Sequence, residues 1–184
     1  MEPSTAIESI PIDLVRLAPA QIALVRVAKP DDEDDLMAML KRMHRDNPQP
    51  FPLSEMMLRE TVQHAITPNR NAPDAGSSVS GIIGEPGCIE ASIGLIVTSL
   101  WWSSEPFLAG LWFHVVPEYR RHPHARALIV FAKAIADALQ MRLRIATMIR
   151  EGHKTVADDR LWKRHLGGEW HGSSYLYSPT AGAL

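Results

Sequence analysis

The chain has 184 residues, 19 Lys plus Arg against 21 Asp plus Glu, a formal charge of -2 and an isoelectric point near 6.4. That length suits one domain with a substantial core, and the balanced charge argues against a general nucleic-acid binder, which carries a basic excess or a broad basic face. Cys88 is the single cysteine, which excludes an intramolecular disulfide and a Cys-rich zinc site.

Residues 1–22 carry Pro3, Pro11 and Pro19 with no sustained hydrophobic period, so they read as an N-terminal extension to a domain spanning 23–184. The first residues lack a basic-then-apolar signal pattern, and no stretch approaches the ~18 apolar residues of a membrane span. The expectation is a soluble cytoplasmic protein with neither membrane nor nucleic acid as partner.

Leu24–Val27 predicts a short strand, after which Lys29-Pro30-Asp31-Asp32 supplies a stop, an N-cap and first-turn acids for a helix through about Arg45. Leu36, Met39, Leu40 and Met43 form its apolar face. Asn47-Pro48-Gln49-Pro50 breaks it, and Ser54 opens a second helix to Ile66 with Met57, Leu58 and Val62 at helical spacing.

Val79–Gly84 and Cys88–Ser99, joined by Glu85-Pro86-Gly87, predict a hairpin. Leu108–Val116 contains no acid, Lys or Arg and is closed by Pro117, so it reads as a third sequential strand buried on both faces. A helix follows, in which Leu128, Phe131, Ala132, Ile135 and Leu139 recur at spacings of three and four. Arg142–Met148 predicts a strand, Thr155 to Leu166 a helix stopped by Gly167-Gly168, and Glu169–Tyr177 one final strand. The fold class is α/β (α+β), a mixed and mostly antiparallel sheet flanked by helices in the order βααβββαβαβ.

The turn before the third helix carries the chemical signal. Arg120, Arg121, His122, His124 and Arg126 place five basic or potentially basic groups in seven residues at a helix N-terminus, where the dipole is already positive. Cations there are unfavourable unless an anion arrives, and a strand, a turn and a helix N-terminus in succession suit a phosphate. A solvated basic turn is the alternative reading.

The V-x-P-E-Y-R-R turn and this element order resemble the GCN5-related N-acetyltransferases over roughly residues 23–178. In that family the turn follows Gln/Arg-x-x-Gly-x-Gly/Ala and its amides hold the pyrophosphate of acetyl-coenzyme A. Arg120 and Ala125 match the ends of the pattern, whereas Pro123 replaces the first glycine and removes one N–H. Proline suits the first helical position, which leaves the amides of His124, Ala125 and Arg126 for an anion. Arg-Leu-Trp-Lys-Arg-His-Leu-Gly-Gly (160–168) resembles the family's last helix, with Trp162 and Lys163 where many members carry a tyrosine that protonates the leaving thiolate.

The resemblance implies acetyl-coenzyme A as co-substrate, no metal, an amine acceptor that is a small molecule or a peptide, and strands splayed beside Val115 and Val116 so that their main-chain groups meet the pantetheine arm. It leaves open a homodimer and a catalytically silent binding or regulatory protein of the same fold.

His114 is the one titratable residue between Leu108 and Val116 and so the candidate base; packing with satisfied hydrogen bonds is the competing reading. Glu105, in the preceding loop, is the second candidate. His122 and His124 lack a metal-ligand spacing. Trp101, Trp102 and Trp112 read as an acceptor pocket or dimer surface, with packing expected for at least two of them.

Overall fold

A computed structural model of the protein describes residues 24–47, 52–67, 78–146, 156–167, 169–171 and 174–177. The expected extension, residues 1–22, lies outside them. Eleven elements follow in chain order among the described residues: β1 (Arg26–Val27), α1 (Glu33–Asp46), α2 (Glu55–Ile66), β2 (Ser78–Glu85), β3 (Cys88–Ser99), β4 (Pro106–Val115), α3 (His124–Leu139), β5 (Leu143–Ala146), α4 (Val156–His165), β6 (Glu169–His171) and β7 (Ser174–Tyr177). One-turn 3-10 segments precede α1 (Pro30–Asp32) and follow β4 (Pro117–Tyr119).

The strands form one mixed sheet in the order β1-β2-β3-β4-β5-β7-β6, antiparallel throughout except for the parallel β4–β5 pair. That pair is joined through α3, the crossover a parallel connection requires. The expected single strand Glu169–Tyr177 is instead two strands paired antiparallel, Glu169↔Leu176 to His171↔Ser174.

Helices cover both faces. Leu36, Met37, Met39 and Leu40 of α1 and Val62, Ala65 and Ile66 of α2 pack with Ile82, Trp112 and Val116. Leu128, Ile129, Phe131, Ala132, Ile135 and Ala136 of α3 pack with Ala91, Ile93, Leu95, Val97 and Leu108, joined by Trp162 and Leu166. Ser54 caps α2 as its spacing predicts, its hydroxyl accepting from the Met57 N–H at 3.4 Å. Asp32 does more than open a helix: its carboxylate takes both Arg26 guanidinium nitrogens at 2.7 Å and the Lys29 N–H at 2.8 Å, and its pKa is lowered, chiefly by Arg26. Among the described residues no helix is long and apolar enough to cross a membrane.

The β2–β3 hairpin is pinned by Gly84. Its φ of 112° favours glycine, and a Cβ there would stand 2.3 Å from the Cys88 carbonyl oxygen and 3.0 Å from the Glu90 nitrogen, both backbone atoms that cannot yield cheaply. Gly84→Ala should therefore cost roughly 2–4 kcal/mol and lower Tm by about 5–15 °C in a circular-dichroism melt.

Candidate active site

The strand β4 is not regular. It pairs with β3 at nine positions, but the register slips between Gly94↔Trp112 and Leu95↔Gly110, which leaves Leu111 as one extra residue. A one-residue bulge bends its strand and exchanges the faces of everything beyond it in residue number. Leu108 accordingly faces α3, whereas Trp112 and Val116 face α1 and α2.

On the other edge of β4 the ladder to β5 holds only Leu108↔Leu143 and Ala109↔Arg144, while β5 stays with β7 at all four of its positions. Among the described residues the ladder between the two parallel strands thus ends at Ala109, beside the bulge and with Gly110 still against Ile145, and the edge of β4 beyond it faces an unpaired gap, the candidate cleft, toward the carboxyl ends. The Val116 N–H is donated to the Glu90 carbonyl of β3 at 2.9 Å. Main-chain groups alternate edges along a strand, so those of Val115 face the cleft. The Val115 carbonyl accepts there from Arg120 Nε at 3.5 Å.

The β4–α3 turn closes the same end of the sheet. His122 donates its N–H to the Tyr119 carbonyl at 3.0 Å, and the Ala127 N–H reaches the Pro123 carbonyl at 3.0 Å as the first bond of α3. Pro123 is the N-cap rather than the first helical residue, with φ -74° and ψ 12°. The amides of His124, Ala125 and Arg126 therefore precede the first helical bond. Arg120, Arg121, His122 and Arg126 are exposed around them, and His124 is buried, its Nε2 2.6 Å from Glu90 Oε2.

His114 is opposite Ser92 in the register, on the face shared with Trp112, and is 5% exposed, with no hydrogen-bond partner at Nε2 among the described residues. Burial first, then the charge of Arg120 and more weakly Arg42, lowers its pKa, while Asp46 acts in the opposite sense. Its neighbour Trp112 lies flat on Gly94, where a Cβ would come within 2.6 Å of the indole ring. The indole N–H donates to Ser92 Oγ at 3.1 Å, and the Ser92 hydroxyl is 3.4 Å from Ser80 Oγ, which donates to the Ile93 carbonyl at 3.2 Å. A strand bulge thus delivers a neutral, desolvated imidazole beside a rigid indole, near a cleft that ends in a helix N-terminus.

No family model and no curated protein matches the sequence. Solved structures do match its fold. Arabidopsis thaliana NAA60 in complex with a bisubstrate analogue superposes with a TM-score of 0.57 at 17% identity, over 86% of this chain and 98% of that one. A protein from Desulfovibrio desulfuricans assigned as a GNAT-family acetyltransferase gives 0.56 at 16% identity, over 84% and 97%. A predicted acetyltransferase from Clostridium acetobutylicum, solved with acetyl-CoA, gives 0.62 at 13% identity, over 80% and 90%. The chain has the GCN5-related N-acetyltransferase fold.

Within that fold the sequence-predicted residues fall into two groups. Arg120, Arg121, His122, His124, Ala125 and Arg126 cluster at the start of α3, with Val115 at the cleft and His114 on the strand leading to it. Val116 departs from expectation, because its N–H is already taken by β3 and its side chain is buried under α1 and α2. Glu105 departs further. It precedes the far end of β4, where Pro106 pairs with Ser99, so nine residues or roughly 30 Å of strand separate it from His114. It is exposed there, 3.7 Å from Arg142.

Of the three tryptophans, Trp112 alone packs; Trp101 and Trp102 are 91% and 63% exposed and meet edge to face at 4.9 Å. They sit in the β3–β4 connection, at the end of the sheet opposite the cleft. Tyr175 and Tyr177 lie on β7, and nothing of their side chains falls within the described residues. The β4–α3 turn also draws in two residues that the sequence does not mark as site residues. Tyr119 stacks near His122 and His124 at 5.7 and 5.9 Å, with its hydroxyl 3.9 Å from Cys88 Sγ. Glu90 holds His124; the only signal in the sequence was an acid inside an otherwise apolar strand.

Proposed function

We propose that the protein is an acyl-coenzyme A dependent N-acyltransferase, moving an acetyl group from acetyl-CoA to an amine by direct attack. The observation that carries this reading is the parting of β4 from β5 at Leu111 beside a helix start whose first three amides precede any helical bond. The amides of His124, Ala125 and Arg126, with the Arg120 and Arg121 guanidinium groups, hold the pyrophosphate. The pantetheine arm runs along the main chain of Val115.

The amine nitrogen attacks the thioester carbon, the C–N bond forms, and the C–S bond breaks to release coenzyme A thiolate. His114, kept neutral by burial, takes the proton from the amine. The thiolate takes up a proton from water at the open edge of the cleft. The acceptor is a small-molecule or peptide amine.

Isothermal titration tests the binding step. Acetyl-CoA should bind the intact chain, and Arg120→Ala with Arg121→Ala should weaken it about tenfold or more, since two charge-assisted contacts are lost. An intact chain that takes up no acetyl-CoA overturns the proposal. A second reading, a binding protein of this fold without catalysis, draws on the closure of His114 from solvent and the lack of any carboxylate on β4. Steady thiol release from acetyl-CoA in the presence of a defined amine decides between the two.

A further inference from the structure

The β4–α3 turn is gripped at both of its ends by one residue of a different hairpin. The β2–β3 register slips between Ile83↔Ala91 and Gly84↔Ile89, so Glu90 is the extra residue of a second bulge. A bulge of this kind re-aims a side chain that a regular strand would send to a sheet face. Gly84, with φ 112° and no room for a Cβ against the Glu90 nitrogen, is what permits it.

From that position Glu90 makes two contacts. Its carbonyl accepts the Val116 N–H at 2.9 Å, where the turn leaves β4, and its carboxylate meets His124 Nε2 at 2.6 Å, where the turn enters α3. His124 is itself buried, with its ring 5.3 Å from His122 and 5.9 Å from Tyr119. The intervening segment, 117–123, is mostly exposed; Tyr119 donates its N–H to the Val116 carbonyl at 2.9 Å and His122 donates its N–H to the Tyr119 carbonyl at 3.0 Å, while Glu118 pairs with Arg42 of α1 at 2.5 Å and Tyr119 packs against the α1–α2 cluster. The middle of the turn is thus seated on α1 through Glu118 and Tyr119, and its two ends are held to β3 by Glu90.

We propose that Glu90 is the positioning residue of the coenzyme A site: it fixes the His124, Ala125 and Arg126 amides relative to the β4–β5 cleft, so that pyrophosphate and thioester are accommodated together. Glu90 acts through His124 and Val116 and touches neither substrate. Its carboxylate is engaged by the His124 imidazole at 2.6 Å. The residue at 124 is then required for its side chain, which holds the turn, while its amide faces the anion.

This inference rests on the coenzyme A reading above, and titration of the full chain with acetyl-CoA separates the two. If the unaltered protein does not bind, that reading falls; if it binds and the variants bind equally, only the role of Glu90 falls. Glu90→Ala should weaken acetyl-CoA binding about tenfold, whereas Glu90→Gln, whose amide oxygen still accepts from the imidazole N–H, should stay within about threefold of the unaltered chain. The Glu90→Ala, His124→Ala double variant should bind about as weakly as Glu90→Ala alone, because both changes remove one shared interaction.

Glu90→Asp carries the same test should the alanine variant fail to fold. It keeps the charge but draws the carboxylate back by one methylene, and should lose about fivefold. A double variant that loses no more than Glu90→Ala alone is the outcome that a general packing role does not produce. Losses that multiply in the double variant, or a glutamine variant as weak as alanine, overturn the proposal.

Discussion

Replacing His114 by alanine should cut the rate of acetyl transfer about 10²–10⁴-fold while leaving acetyl-CoA binding within about threefold, measured by thiol release and by titration. His114 is the one titratable side chain of β4, and its Nε2 is buried without a partner among the described residues. Leaving a buried ring nitrogen unpaired costs about 1–3 kcal/mol. A purely structural residue gains nothing from that cost, so His114→Leu should melt higher than the unaltered protein while losing turnover. A leucine variant that melts lower and transfers normally would assign His114 to packing alone.

The pH dependence follows from the same burial. The folded-state pKa of His114 lies below its unfolded value near 6.5, so the folded chain resists a proton that the unfolded chain accepts. The contribution to stability is present above about pH 6.5 and is lost as pH falls from there toward the lower folded value. The groups whose charge acts on the ring are Arg120 from the turn and Arg42 and Asp46 from α1, with burial the largest influence. Arg42 also pairs with Glu118, tying α1 to the turn. His114→Leu should flatten this acid slope in a series of melts, and the acid limb of kcat/KM should lie below pH 6.5 and vanish in the variant.

Deleting Leu111 should leave the protein folded and weaken acetyl-CoA binding by about tenfold or more. Leu111 is the extra residue of β4 and is 37% exposed, so little core contact goes with it. Its removal brings Gly110 and Trp112 into adjacent register against Leu95 and Gly94 without moving any other pair. Gly110 and Phe113 keep the α3 face and Trp112 keeps the α1–α2 face. What is lost is the bend that carries β4 away from β5. A deletion variant whose melt stays within a few degrees of the parent and whose affinity collapses supports the bulge as the opener of the cleft. Equal affinity in a folded variant would show that the parting of the strands has another cause.

The elements were legible where one physical signal dominates. Ser54 before an apolar period marked α2, the spacing of Leu128, Phe131, Ala132 and Ile135 marked α3, and turn residues at 85–87 marked the hairpin. The turn at 120–126 stood out because cations at a helix start conflict with the dipole.

The two bulges were not legible. Leu108–Val116 is uniformly apolar, so an extra residue at 111 changes no alternation that could be read, and the faces of Trp112 and His114 depend on it. Glu90 meets His124 across 34 residues of sequence, and a lone acid within a strand is read first as a solvent-facing residue. The end of β4 near which Glu105 lies and the edge that the Val116 N–H faces were not legible either, because proximity in sequence to β4 does not say which end, or which edge, a group occupies.

Acetyl-CoA is expected in the β4–β5 cleft with its pyrophosphate at the start of α3. The most direct test is a crystal structure of the full chain grown with acetyl-CoA. Pyrophosphate oxygens should lie within hydrogen-bond reach of the His124, Ala125 and Arg126 amides, and the thioester beside the main chain of Val115 between the parted strands. Acetyl-CoA seated elsewhere, or a pyrophosphate held without those amides, would contradict it.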